Sequence, residues 1–139
     1  MKNVFLDTNI LLDYIENRDG AGAAQKVFTA AHRGTVNLYA SVLTFANMAY
    51  VIGRKRSQDD VRAILDRFEQ KLIVLPMDRL QLKFAIDNPS KDFEDMLQYQ
   101  CAIAGGCDVL LTNNKKDFID FCKIPLFTAA EFLKEVGMS

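Results

Sequence analysis

The chain has 139 residues, half of them hydrophobic and a quarter charged, with a net charge of −1. That length fits one domain over residues 1–139, and the apolar content is enough for a sizeable core. The charge excludes a broadly basic surface, so a nucleic-acid ligand would need a local patch, or metal ions, to bring its phosphates close.

Val4-Phe5-Leu6 reads as a buried strand that stops at Asp7. A helical pattern follows over Asn9 to Asn17, with Thr8 or Asn9 as its cap. Asp7 itself reads in two ways, as a turn or cap residue, or as a ligand-binding acid at a strand's C-terminal end. After a break at Arg18-Asp19-Gly20-Ala21-Gly22, a second helix covers Ala23 to Arg33 and stops at Gly34. Val36 to Ala40 is a second strand, ended by Ser41, and a helix with Thr44 early in it runs to about Ile52. The basic run Arg54-Lys55-Arg56 closes that helix, and Ser57-Gln58-Asp59-Asp60 opens the next, which continues through Phe68.

Leu72 to Leu75 is a third strand, stopped by Pro76, and Asp78 caps a helix to about Ile86. Asp87-Asn88-Pro89-Ser90-Lys91 is the clearest loop. Asp92 starts a helix that ends at Gly105-Gly106, and Asp108 to Thr112 is a fourth strand. A polar turn, Asn113 to Lys116, leads into a short helix over Asp117 to Phe121. Ile124 to Phe127 reads as a fifth, edge strand, where proline is tolerated, and Thr128 begins the last helix. Strands separated by helices predict an α/β fold of three layers, α/β/α, around a parallel sheet of four to five strands.

Several chemistries lack their residues. Cys101, Cys107 and Cys122 have no metal-ligand spacing and read as small core residues. His32, the one histidine, reads as a surface or capping residue. Ser-His, Cys-His and structural zinc sites are therefore hard to assemble. The apolar runs stop far short of the roughly 20 residues of a membrane span. Met1-Lys2-Asn3 leads straight into the first strand, so the expectation is no signal peptide, no membrane contact and a cytoplasmic location.

Four polar clusters remain at strand ends or helix starts. They are Asp7 with Thr8 and Asn9; Ser41, Thr44 and Asn47; Asp92, Glu94 and Asp95; and Thr112, Asn113, Asn114 and Asp117. In a parallel sheet the strand ends share one edge, so distant clusters can converge. Asp92 and Asp95 fall on one helix face, with Asp92 as the cap. Glu94 points about 100° from Asp95, which argues against a shared ligand role from the same face. Converging carboxylates repel and desolvate one another. A divalent cation with oxygen ligands, Mg²⁺ or Mn²⁺, resolves this and supports phosphoryl chemistry without His or Cys, often as a pair roughly 4 Å apart.

Val4-Phe5-Leu6-Asp7-Thr8-Asn9 before an apolar helix resembles the opening of a PIN domain. Asp92-Phe93-Glu94-Asp95-Met96-Leu97-Gln98, followed by Ala102-Ile103-Ala104, Gly106, Asp108 and Leu111-Thr112-Asn113-Asn114-Lys115-Lys116-Asp117-Phe118, resembles its closing half. The two halves lie in the right order over nearly the whole chain. PIN domains are α/β/α folds with a parallel sheet, many are Mg²⁺- or Mn²⁺-dependent ribonucleases, and small bacterial ones are often VapC-type toxins held inactive by a small antitoxin. The resemblance implies that Asp7, Asp95 and Asp117 form a catalytic, metal-binding acidic site, with Thr8, Asn9 and Thr112 orienting them.

Two positions depart from that pattern. Asn47 stands where the family usually has Glu, and Asn114 where many members have Asp. Each keeps an oxygen but loses a negative charge, which implies weaker metal binding and one metal rather than two. Asp117 reads either as a compensating acid or as the cap of the short helix.

The leading expectation is thus a metal-dependent endoribonuclease, a candidate toxin, with RNA as substrate, a small antitoxin as partner and a homodimer as its assembly. Asn47 and Asn114 would position water or ligand. Arg54, Lys55, Arg56, Lys115 and Lys116 are the candidate phosphate contacts. The alternative is a PIN-like module that binds RNA or protein without cutting. A receiver or aspartyl phosphatase is disfavoured, because the receiver's acid pair is missing and Asn9 replaces the second acid of the phosphatase motif.

Overall fold

The computed structural model describes residues 1–138. Five strands, β1 (Lys2–Leu6), β2 (Val36–Ser41), β3 (Ile73–Leu75), β4 (Val109–Leu111) and β5 (Leu126–Phe127), form one sheet in the order β3-β2-β1-β4-β5. Every pairing is parallel, with Val4 opposite Leu38 on one side and Val109 on the other. The continuous apolar run at Val4-Phe5-Leu6 follows from this placement: a central parallel strand is covered on both faces. Successive side chains alternate between the two layers. Val4 and Leu6 pack with Leu38, Ala40, Val109 and Leu111, whereas Phe5 and Leu110 belong to the opposite core.

The first layer contains α1 (Thr8–Ile15), α2 (Ala21–His32), α3 (Val42–Ile52), α4 (Gln58–Lys71) and α7 (Ala129–Glu135). Ile10, Leu11, Val27, Met48, Phe68 and Phe132 fill its core. The second layer is α5 (Arg79–Asp87) and α6 (Phe93–Ala104), with Ala85, Met96, Tyr99, Ala102 and Phe118 beneath them. Burial of each large side chain contributes about 1.5–3 kcal/mol, so the two cores fix the strand ends firmly. Among the described residues, no helix is long and apolar enough to cross a membrane.

Most helix starts are those the sequence predicts. Ser57, Asp78, Asp92 and Thr128 cap α4, α5, α6 and α7 with their side chains. Three boundaries differ. The helix after β1 begins at Thr8, so its cap is Asp7 rather than Thr8 or Asn9. The second helix starts at Ala21, because Gly20 takes the left-handed conformation (φ 92°) that closes the α1–α2 turn. A Cβ at Gly20 would be strained, and it would lie 3.3 Å from Nδ2 of Asn113. The short helix over Asp117 to Phe121 is instead a 3₁₀ turn at Lys115–Asp117, preceded by Asn114, so Asp117 closes a turn and does not cap a helix.

Cys101 and Cys107 are buried in the second core, where desolvation pushes their thiols up to about 11 and about 12. They are packing residues and not nucleophiles at neutral pH. Cys122 is half-buried, and its thiol donates to the Ile124 carbonyl. His32 is exposed at the end of α2.

Candidate active site

The strand order reverses direction between β1 and β4. From β1 the chain moves outward through β2 to β3, then returns to place β4 and β5 on the other side. Ligand sites in open parallel sheets form at this switch point, outside the C-terminal strand ends. Leu6 pairs with Leu111, so the next residues, Asp7 and Thr112, emerge side by side. The Asp7 N–H donates to the Leu111 carbonyl at 2.9 Å. One Asp7 carboxylate oxygen accepts from the Thr8 N–H at 2.9 Å, and the other accepts from the Thr112 hydroxyl at 2.9 Å. Thr112 in turn accepts from the Asn114 N–H at 3.0 Å, which ties the closing turn to the first acid. Asp7 therefore serves both readings of the sequence: it caps α1, and it lines a cleft at the sheet edge.

Beneath the cleft lies a buried polar cluster. The Gln98 side chain, only 1% exposed, accepts from the Ser41 hydroxyl at 2.6 Å and donates to the Thr44 hydroxyl at 2.9 Å. The Thr8 and Thr44 hydroxyls are hydrogen-bonded at 2.9 Å, and Ser41 caps α3 by accepting from the Thr44 N–H. Residues from β2, α1, α3 and α6 are thereby locked together under the acids. Every buried side-chain nitrogen and oxygen among the described residues has a partner, so this cluster carries no unsatisfied group to weaken it.

The cleft has a volume of about 370 Å³ and gathers Asp7, Asn9, Asn47, Asp92, Glu94, Asp95 and Asp117. Asp92 caps α6 by accepting from the Asp95 N–H at 3.1 Å, as the spacing predicts. Glu94 leaves α6 in a different direction from Asp95, and it too opens into this cleft. Its longer side chain reaches across to α3, where the Asn47 amide donates to it. The angular separation on the helix is real, but the cleft is wide enough to receive both directions.

The electrostatics follow from this crowding. Burial pushes Asp7 up to about 6, against the lowering effect of its bonds from Thr112 and Thr8, with the Glu94 and Asp117 charges adding to the rise. Asp95 is pushed up to about 7, first by desolvation and then by Asp92, Asp7, Asp117 and Glu94. The donor set is all oxygen, which suits a hard divalent cation such as Mg²⁺ or Mn²⁺. Among the described residues, no three His, Cys, Asp or Glu side chains are gathered closely enough to hold an ion alone. A cation that takes one or two carboxylates and keeps several waters matches such a spread arrangement.

The basic candidates separate. Lys115 is paired with Glu131 at 3.0 Å, so it is not a free phosphate contact. Arg56 lines a different groove, with Tyr14, Ile64 and Phe68. Lys55 and Lys116 are exposed. The Arg54 guanidinium lies over the ring of Tyr50, which itself borders the acidic cleft. Of the supporting candidates, Ser41 and Thr112 are fully buried and act through Gln98 and Asp7. Asn114 stands back from the cleft and contributes its backbone N–H.

Gln98 and Tyr50 are the residues the sequence reading passed over. Gln98 was accessible, because it follows Asp92 and Asp95 at three-residue steps and so shares their helix face. Tyr50 carried a similar signal, three residues after Asn47 on α3.

Comparison with known proteins identifies the family and the fold. The sequence profile described as PIN domain matches residues 3–116. Ribonuclease VapC1 of Aquifex aeolicus (strain VF5) is 26% identical over 140 residues, covering 94% of this chain and 93% of that protein. A DNA-bound VapBC complex from Salmonella typhimurium contains a chain of the same fold, with a TM-score of 0.72 and 20% identity over 93% of this chain and 99% of that one. VapBC2 from Rickettsia felis, bound to a promoter DNA fragment, gives a TM-score of 0.66 and 18% identity over 89% and 96%. The profile runs from the central strand through the closing turn, and the chain belongs to the PIN domain family.

Proposed function

We propose that this protein is a metal-dependent endoribonuclease that hydrolyses RNA phosphodiesters at the acidic cleft. The observation that carries the reading is the acid pair Asp7 and Asp95, held in one cleft with Glu94 and Asp117 and driven toward neutrality by burial and mutual charge. That arrangement is costly without a counter-ion and useful with one. When bound, Mg²⁺ or Mn²⁺ offsets the carboxylate charge and supplies Lewis acidity toward a phosphate oxygen. Asp7 and Asp95 would hold the ion, with Asp117 acting directly or through water. Thr112 and Thr8 keep the Asp7 carboxylate aimed into the cleft. Asn47 holds Glu94 and offers an amide to water or ligand.

A toxin role in the cytoplasm, with a small antitoxin as partner, is supported by the names of the relatives, one a VapC ribonuclease and the others VapBC complexes. Exposed apolar residues on α5, among them Leu80, Phe84 and Ile86, give a homodimer a surface to bury. The second reading, a binding module that does not cut, is favoured by one observation. At Asn47 an amide stands against Glu94 where the family pattern has another acid.

Purified protein incubated with structured and single-stranded RNA in Mn²⁺ separates the two. The nuclease reading requires cleavage by the wild type and its loss in an Asp7→Asn Asp95→Asn variant. Equal background cleavage by both would leave the binding module standing.

A further inference from the structure

Tyr50 is 69% exposed at the rim of the acidic cleft, close to the end of α3. An aromatic ring left this open gives up burial that elsewhere stabilises the fold. The Arg54 guanidinium covers one face, 4.6 Å from the ring centroid, and the exposure of the residue leaves the other face to solvent. Asn47, Tyr50 and Arg54 follow at steps of three and four residues, so they form a stripe on one side of α3 and its C-terminal turn. The stripe runs about 10 Å outward from the Asn47–Glu94 contact, passing from amide to ring to cation.

This order fits a single-stranded nucleic acid leaving an acidic reaction centre. A base has a π-face for the ring, and the adjoining phosphate has a charge for the guanidinium. A duplex keeps its bases stacked inside and offers the ring no face. We propose that Tyr50 is a base-stacking platform that, with Arg54, docks one unpaired nucleotide of the RNA beside the cleft. The proposal rests on the ribonuclease reading. Tyr50 is a positioning residue: it holds the strand and does not touch the scissile phosphate.

The chain has no Trp, so a Tyr50→Trp substitution creates a single indole reporter. Placed in an Asp7→Asn background, which prevents turnover, it is titrated with a single-stranded RNA of about 12 nucleotides and with an abasic oligonucleotide of equal length. Stacking requires saturable quenching by the RNA and little by the abasic strand. In the cleaving enzyme, Tyr50→Ala should raise KM about tenfold with kcat held, whereas Tyr50→Phe should stay close to the wild type. Arg54→Ala should reduce the salt slope of binding by about 0.7. Equal quenching by both oligonucleotides, or an unchanged KM in Tyr50→Ala, overturns the platform; a partner-protein contact at Tyr50 would give that result. If the wild type fails to cut RNA the nuclease reading fails, and the quenching comparison still decides the role of Tyr50.

Discussion

Replacing Asp7 by Asn should stabilise the metal-free fold at alkaline pH. Asp7 is 7% exposed, and its carboxyl is raised from 3.8 to about 6, chiefly by desolvation. Because the folded value lies above the unfolded one, the protonated acid favours the fold. That contribution is complete below about 3.8 and is lost as pH rises through about 6. Ionising Asp7 inside the fold rather than in the unfolded chain therefore costs roughly 3 kcal/mol, of which roughly 1.4 kcal/mol is lost between about pH 5 and pH 8. Asn removes the charge and remains a good helix cap. Its amide, however, faces the Thr112 hydroxyl, whose proton loses an acceptor at a cost of about 1–2 kcal/mol.

The net expectation is an Asp7→Asn protein about 1–2 kcal/mol more stable than wild type near pH 8 and about equal near pH 5. Asp95 is raised in the same direction, in part by the Asp7 charge, so removing that charge also relieves Asp95 and adds to the advantage of the variant at pH 8. Urea denaturation in EDTA at the two pH values measures the difference. A wild type that gains stability from pH 5 to pH 8, or an Asp7→Asn variant that is weaker at pH 8, would refute the reasoning.

Other perturbations reach different parts of the site. Gln98→Leu removes the bonds to Ser41 and Thr44 and leaves the Ser41 hydroxyl proton without its close acceptor, so the urea midpoint should report a loss of about 2 kcal/mol; a loss under about 0.5 kcal/mol would show the cluster to be dispensable. Asn47→Glu sets a carboxylate against Glu94, which should lower metal-free stability by about 1 kcal/mol and tighten Mn²⁺ binding in calorimetry. No change in either quantity would separate Asn47 from the cation. Protons compete with a cation at Asp7 (about 6) and Asp95 (about 7), so Mn²⁺ affinity should fall from pH 8 toward pH 5, by up to about tenfold per pH unit for each titrating ligand. An affinity independent of pH would rule out ligation by these two carboxylates.

The sequence revealed the frame of this site more fully than its wiring. An apolar run ending at Asp7, and another ending at Thr112, locate two strand ends, and parallel pairing of β1 with β4 makes them neighbours. The three-residue steps from Asp92 to Asp95 to Gln98 define the side of α6 that meets the cleft and the polar cluster beneath it. The place of Glu94 is not legible locally, because helical angle sets where a side chain starts, not where a long one ends, and its end is set by Asn47 on another helix. The pairing of Lys115 with Glu131 depends likewise on the docking of α7, which no local pattern encodes. Asp7, Thr8 and Asn9 are equally good capping types in the sequence, and the structure makes Asp7 the cap. Only the tight strand-to-helix junction decides among the three.

The most direct measurement of metal-dependent hydrolysis at this cleft pairs Mn²⁺ binding, read by electron paramagnetic resonance, with single-turnover cleavage of a labelled RNA across the same Mn²⁺ titration. Catalysis by a cation held at Asp7 and Asp95 predicts that the two curves share a midpoint, and that Asp95→Asn weakens both together. Cleavage that persists at full rate in EDTA, or a cleavage midpoint that stays fixed while Asp95→Asn shifts binding, would contradict it.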